Sequence, residues 1–353
     1  MKSFSRKLSE WYDPDTRNLP WKKTKDAYKI WLSEIILQQT RVEQGKPYYL
    51  AFIKKYPTVR KLASAPLDEV LKLWEGLGYY SRARNLHSAA RQIVDEHNGK
   101  FPSGYQAILD LKGIGKYTAA AIASFAYGLP HAVVDGNVYR VLSRVFGIET
   151  TIDTTPGKQQ FEALADKLLD RKNPALHNQA LMDFGALICK PQQPLCGQCP
   201  FSSECRALAS DAIRLLPVKS KKLFKKDRHF HYFVLHDAKN IFIRQRTDQD
   251  IWKGLFEFPM EESAKPADHS PQFPSNSVLK KYVGLSTVDH RPTFTYRQTL
   301  SHQHINAYFC EIRLNKLPKP DESYLRIAKN PYLSTLIQKI IRSYLADRLN
   351  FLS

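Results

Sequence analysis

Four cysteines confined to 17 residues constrain what the middle of this chain can become. They read Cys189-x6-Cys196-x2-Cys199-x5-Cys205, and the whole chain of 353 residues holds five. No turn or core needs that density. Thiols this close bind a metal or a cluster, or they pair as disulfides. The opening residues, MKSFSRKLSEWYD, lack an apolar h-region, so no secretion and no disulfides are expected. Zinc usually favours two short CxxC knuckles. Here one loop has spacings of six, two and five, stiffened by Pro191, Pro194 and Pro200. Four thiolates on one iron–sulfur cube suit it better. Cys310 stands alone in a strand-like stretch and reads as core.

The rest of the composition bounds the partner. A net charge of +19, with tyrosines and tryptophans among the basic residues, favours a polyanion, nucleic acid first. No run of about 18 apolar residues exists, so no membrane span is expected. The length allows two domains. Residues 1–214 read as helical, with apolar residues at helical spacing in 67–74, 83–93, 119–127 and 161–169. A basic linker, 215–229, follows, with Lys219, Lys221, Lys222, Lys225, Lys226 and Arg228 against Asp227 alone. Strand signals then come at 231–235, 240–246, 254–258 and 305–312, and helical ones near 278–282 and 333–349. The second domain, 230–353, is therefore α+β. Neither an internal repeat nor a low-complexity tract is present.

Three local patterns carry chemistry. Leu111-Lys-Gly-Ile-Gly-Lys-Tyr117 joins two helical segments. Gly113 and Gly115 permit a tight turn, and the N–H groups at the start of the next helix suit a phosphate. Lys112 and Lys116 add charge, which favours a helix-hairpin-helix grip on DNA. Glu34 sits in WLSEIIL (31–37), a helix apolar almost all round. Burial there raises a carboxyl pKa and makes a general acid, or else the group is simply satisfied in the core. Asp135 precedes an amphipathic helix as its N-cap. Capping alone explains it, or helix-end N–H groups hold it ionised to stabilise a developing sugar cation. One buried acid and one ionised carboxylate are the pair that glycosidic bond cleavage uses.

With those residues in view, WLSEIILQQT (31–40), EGLGYYSRARNL (75–86), LKGIGKYTAAAI (111–122), VDGNVYRVLSR (134–144), NQALMDFGALIC (178–189) and the cysteine loop together resemble the MutY family of adenine DNA glycosylases. The hairpin and cysteine spacing alone indicate only the wider endonuclease III superfamily. LQQT and the second domain narrow it. The resemblance implies an all-α helix-hairpin-helix domain with a [4Fe-4S] cluster on Cys189, Cys196, Cys199 and Cys205, and a MutT-like (Nudix-like) α+β domain. It implies that Glu34 protonates adenine at N7 and that Asp135, with Asn137 nearby, stabilises the oxocarbenium ion. Lyase relatives carry a nucleophilic lysine 18 residues before that aspartate. Tyr117 stands there in this chain, so a monofunctional enzyme is implied.

Arg17, Trp21, Lys22 and Gln179, together with Glu34, match the adenine pocket. Gln39 and Tyr79 resemble the residues wedged into the duplex as the base leaves, with Leu37, Thr40, Gly113, Gly115 and Lys116 in the same DNA-binding set. WKGLFEFP (252–259) resembles the Nudix landmark, but no REx2EE helix follows it, so this domain is expected to read rather than hydrolyse. The family reads 8-oxoguanine with Phe-Ser-His; the match here is Leu300-Ser301-His302, with leucine replacing the aromatic. The expected partner is duplex DNA carrying 8-oxoguanine:adenine or guanine:adenine mispairs, bound by a cytoplasmic monomer. A lyase-active pyrimidine glycosylase and a non-catalytic iron–sulfur DNA-binding protein are the rival readings. Tyr117 and the second domain oppose the first, and a buried acid opposes the second.

Overall fold

The structure, a computed structural model, describes residues 2–220, 225–247, 250–263, 294–300, 302–320, 324–328, 337, 341 and 343–345. The chain divides into two units, one of Met1–Leu77 and Ser81–Lys221, the other of Gly78–Tyr80 and Lys222–Ser353.

The first unit is helical as far as it is described. The Ala27–Leu37 helix starts at Asp26, whose side chain accepts from the Tyr28 and Lys29 N–H groups, and nearly every side chain along it is buried. An apolar sequence without a polar stripe has no face to offer water, so it becomes a central helix. The Gly136–Phe146 helix is amphipathic. It starts on the Asp135 cap and ends at Gly147 in the left-handed conformation, a common helix stop. Its Val138, Val141, Leu142 and Val145 pack with Phe161, Leu181, Phe184 and Phe201 in one core. The Pro174–Leu187 helix, with proline in its first turn, lies against it.

The basic run is not a free connector throughout. Val218 accepts from the Ile152 N–H at 3.0 Å, and the Ser220 N–H and hydroxyl bond Asp153, so residues through 220 are tied to the helical unit. Lys226 already begins the first strand, and Arg228 is paired with Asp250 and Glu262, not free for a phosphate.

Among the described residues the second unit carries a mixed sheet of seven strands: β1 Lys226–His236, β2 Asn240–Gln245, β3 Phe256–Glu257, β4 Met260–Ser263, β5 Phe294–Thr299, β6 Gln303–Arg313 and β7 Tyr324–Ala328. The order is β3-β2-β1-β6-β5, with β4 pairing β1 and β7 pairing β2. β1 and β6 run parallel; the other pairs are antiparallel. β1 is buried along most of its length, because Phe230, Tyr232 and Val234 face one core and Phe233 and Leu235 another. A strand covered on both faces shows continuous hydrophobicity. The expected strand at 254–258 shortens to two residues. Of the helical signal at 333–349, residues 341 and 343–345 are helical, with Ile341, Tyr344 and Leu345 in the core. The signal near 278–282 lies outside the described residues.

Candidate active site

Glu34 faces a cavity of about 240 Å³ lined also by Arg17, Trp21, Lys22, Leu37, Thr40, Tyr117, Asp135, Asn137, Gln179 and Asp183. The two carboxylates and the whole expected adenine pocket thus share one space. Gln39, Tyr79, Gly113, Gly115 and Lys116 do not line it.

Glu34 is 8% exposed. Burial pushes its pKa from the usual 4.5 up to about 7; Asp135 nearby adds to the rise and the Tyr117 hydrogen bond opposes it. The Tyr117 hydroxyl donates to Glu34 Oε2 at 2.8 Å. Tyr117, at the position where the resemblance places a lyase's lysine, therefore orients the Glu34 carboxyl and carries no amine. Lys116 is turned the other way and pairs with Glu162.

Asp135 is held differently. It accepts from the Asn137 and Val138 N–H groups and from Asn137 Nδ2, each at 2.8 Å. Burial pushes its pKa up and these bonds, with Arg140, pull it back. The capping role and the anion-holding role are the same contacts. Its loop is pinned by Asn178, which donates to Ser124 Oγ and His131 O and accepts from the Val133 N–H.

Two further side chains, not among those expected from sequence, complete the site. Asp183, 3% exposed, accepts from Arg17 at 2.8 Å and from Lys22. It fixes both cations of the pocket, and a carboxylate in the apolar run ALMDFGAL is the same signal that marked Glu34. Arg140 donates to Asn137 Oδ1, Gly185 O and Cys189 O, each at 2.7 Å. It thereby joins the Asp135 cap to the cysteine loop. Asn137 can lie so close only because residue 185 is glycine: a Cβ there would stand 2.6 Å from Asn137 Cβ.

The four loop cysteines are free thiols and line one small apolar cavity with Val145, Phe184 and Leu195. Among the described residues no group of three or more His, Cys, Asp or Glu side chains could hold a single metal ion. Arg144 donates to Cys189 Sγ at 3.6 Å and to Lys190 O and Pro191 O, a cationic cradle that suits an anionic cluster. Burial pushes the Cys199 thiol up to about 11.

At the hairpin, Gly113 has φ +77, and a Cβ there would meet Asn85 at 2.6 Å. Gly115 caps the Lys116–Tyr127 helix, and nothing lies within 4 Å of where its Cβ would be.

Residues 32–171 match the HhH-GPD superfamily base excision DNA repair protein family, and residues 231–342 match the NUDIX domain. The adenine DNA glycosylase of Buchnera aphidicola subsp. Baizongia pistaciae is 40% identical over 72% of this chain and 73% of that protein. That of Buchnera aphidicola subsp. Acyrthosiphon pisum is 32% identical over 97% of both. The chain belongs to the MutY family of adenine DNA glycosylases. The Homo sapiens adenine DNA glycosylase is 46% identical over 58% of this chain and 39% of its own length. A solved thermostable thymine-DNA glycosylase superposes with a TM-score of 0.55 at 33% identity, over 59% of this chain and 96% of that one. An endonuclease III–DNA complex, TM-score 0.52 at 21% identity over 59% of this chain and 95% of that one, shares the fold.

The wedge residues expected for a MutY family member have an unusual backbone. Gln39 has φ 55 and Tyr79 φ 48; both side chains are exposed. The Thr40 N–H donates to Leu37 O at 3.1 Å, with Gln38 at φ −56, ψ 113. This is a type II turn with glutamine where glycine is normal. In the second unit, Leu300 and His302 flank the β5–β6 turn. Leu300 packs against the sheet core and its N–H donates to Gln303 O. His302 is exposed. Ser301 lies outside the described residues.

Proposed function

We propose that this chain extrudes adenine mispaired with 8-oxoguanine or guanine from duplex DNA and hydrolyses its N-glycosidic bond. The observation that carries the reading is a buried acid, Glu34, facing the same cavity as the capped carboxylate of Asp135.

Near neutral pH a fraction of Glu34 keeps its proton and delivers it to adenine N7 as the bond to C1′ breaks. The electron pair leaves with the base. The sugar cation is stabilised by the Asp135 carboxylate, whose lone pairs are fixed by the cap, so it does not collapse onto the sugar. Water then adds at C1′, with Glu34, now ionised, accepting its proton. Tyr117 supplies no amine, so no Schiff base forms and the product is an intact abasic strand. Arg17 and Lys22, fixed by Asp183, present donors to the ring edge of the extruded base, and Trp21 bounds the pocket. The four loop cysteines would hold a [4Fe-4S] cluster, which would brace and charge the loop that Arg140 and Arg144 grip. The β5–β6 turn reads the base opposite adenine, and the missing Nudix carboxylates leave that unit without hydrolase chemistry. One chain suffices as a monomer, acting on duplex DNA in the cytoplasm.

The test is single-turnover adenine release from duplexes with 8-oxoguanine, guanine or cytosine opposite adenine. Full-length protein is compared with a chain ending at Lys221, beyond the Val218 and Ser220 contacts to the helical unit. Release fastest opposite 8-oxoguanine, with the preference lost on truncation, is expected. Release indifferent to the opposite base in the full chain would remove the lesion-reading role. Borohydride trapping of the full chain would overturn the monofunctional assignment.

A further inference from the structure

Arg82 has no place in the catalytic cavity, yet its guanidinium collects an unusual set of acceptors. Nη1, with two hydrogens to share, lies within hydrogen-bond reach of Ile35 O and Ile36 O at 3.0 Å, of Gln38 O, and of Thr40 Oγ1 at 3.4 Å. Nη2 donates to Thr40 Oγ1 and to Leu77 O, each at 3.4 Å. The group lies over the Trp74 ring, 5.1 Å from its centroid, and that ring is fully buried.

These acceptors are not scattered. Ile35 and Ile36 carry orphan carbonyls at the end of the Ala27–Leu37 helix. Gln38 and Thr40 flank Gln39 in its turn, and Leu77 lies two residues before Tyr79. Gln39 and Tyr79 are two of the six non-glycine residues with positive φ among the described residues. Backbone held in a sparsely populated region persists only where its surroundings over-determine it. One fork-shaped side chain satisfies that condition for the Gln39 turn and reaches the segment entering Tyr79. Lysine has the charge but not the planar fork.

We propose that Arg82 is a positioning residue for base extrusion: it holds the Gln39 turn against the Leu77 carbonyl, and so fixes the backbone that presents Gln39 and the backbone from which the Tyr79 segment departs. The idea rests on Gln39 and Tyr79 being the wedges. Arg82 then acts before chemistry. It sets how readily adenine leaves the stack and leaves the proton transfer from Glu34 untouched. Pre-formed wedges lower the cost of unstacking, and that cost is least for a base already unpaired.

Arg82→Lys and Thr40→Val are to be compared with the unaltered full-length, cluster-loaded protein. Single-turnover release is measured from adenine opposite guanine and from adenine opposite an abasic analogue, where no partner base need be broken away. Melting temperature is recorded for each variant. Arg82→Lys is expected to slow release opposite guanine about tenfold or more, the scale a small misplacement produces, and release opposite the abasic analogue less than about threefold. Thr40→Val, which removes one acceptor and leaves the arginine, is expected to shift the same ratio more weakly. Equal losses on both substrates would overturn the proposal in favour of a general structural role, as would unchanged rates on both. Gln39→Ala separates the two ideas: if it leaves release opposite guanine unchanged, the wedge reading fails irrespective of Arg82.

Discussion

In the helical unit, the side chains assigned to chemistry are each held by other side chains. Tyr117 holds Glu34, Asn137 and two N–H groups hold Asp135, and Asp183 holds Arg17 and Lys22. In the strand unit, the residues assigned to reading the opposite base sit at the β5–β6 turn, where His302 is exposed and Leu300 leans on the sheet. A catalytic group must have its proton affinity set in advance, which needs burial and fixed neighbours. A reading group must meet a base edge that arrives with the DNA, so it stays open. Substitutions in the first unit should therefore act on rate and pH, and substitutions at the turn on discrimination.

The largest effect belongs to Glu34. Glu34→Gln is expected to lower single-turnover excision by about 10²–10⁴-fold, the usual contribution of a general acid, with DNA affinity kept. In the unaltered protein excision should fall as pH rises through about 7, where Glu34 loses its proton. Stability should follow a linked course. Between pH 4.5 and about 7 the folded chain keeps a proton that the unfolded chain has released, so stability declines as pH rises through that window. Above it the buried ionised group costs on the order of 3 kcal/mol. Glu34→Gln should therefore be more stable than the unaltered chain at pH 8 and nearly equal to it at pH 4. A variant less stable at pH 8 would show that Glu34 is paired, not strained.

Asp183 comes next. Asp183→Asn leaves Arg17 and Lys22 facing a neutral amide in a buried setting. Breaking such a pair by removing one partner is costly, up to about 3–5 kcal/mol when fully buried. Arg17 is 24% and Lys22 13% exposed at the side chain, so a loss of about 2 kcal/mol is the realistic figure. Thermal melting checks it. Excision should also lose selectivity for adenine over other purines, because the donors no longer keep one geometry.

Both results bear on how much could be seen in the sequence. Glu34 was legible because a carboxylate in WLSEIIL contradicts its surroundings, and contradiction of a local rule is how functional residues show. Asp183 presents the same contradiction in ALMDFGAL, inside the quoted stretch 178–189, but its partners Arg17 and Lys22 lie 166 and 161 residues away and are visible only in the fold. Asp135 was legible as a cap, since its spacing to an amphipathic helix is local. Arg82 and Arg140 were not legible at all: most of their partners lie 42 to 49 residues away, and only the folded chain says which carbonyls are left over. The strand order was hidden for the same reason. The parallel β1–β6 pairing joins residues 77 apart, such as Lys226 and Gln303, which periodicity does not report. In the basic run the charge is visible in sequence, whereas its counter-charge, Asp250 and Glu262 against Arg228, is not.

Gln39 offers a smaller effect of opposite sign on two readouts. Glutamine in the left-handed position of a type II turn is strained by roughly 1–2 kcal/mol, and glycine is not. Gln39→Gly should thus raise thermal stability or leave it unchanged, because glycine's greater freedom in the unfolded chain offsets part of the gain. It should slow release of paired adenine by removing the wedge. A variant both less stable and slower would mean that the glutamine side chain, not the duplex, is what the turn is built around.

The smallest effect tests the turn in the other unit. Leu300 stands where the family has an aromatic, and an aromatic contact adds about 0.5–1.5 kcal/mol beyond its buried area. Leu300→Phe should therefore widen the preference for 8-oxoguanine over guanine by roughly 2- to 10-fold. Against this, Leu300 already packs on the sheet core, and a larger ring forced into that contact has its own strain cost, typically 1–3 kcal/mol when overpacked. Leu300 is only half-buried, so the ring has room to turn outward and the gain should prevail near threefold. The ratio of single-turnover rates on the two mispairs measures it, with cytosine opposite adenine as the baseline. A wider ratio with unchanged melting temperature would mean the leucine merely lacks a stacking face. A narrower ratio with a lower melting temperature would mean the leucine is first a packing residue of the sheet, and that the reading in this chain falls to Ser301 and His302.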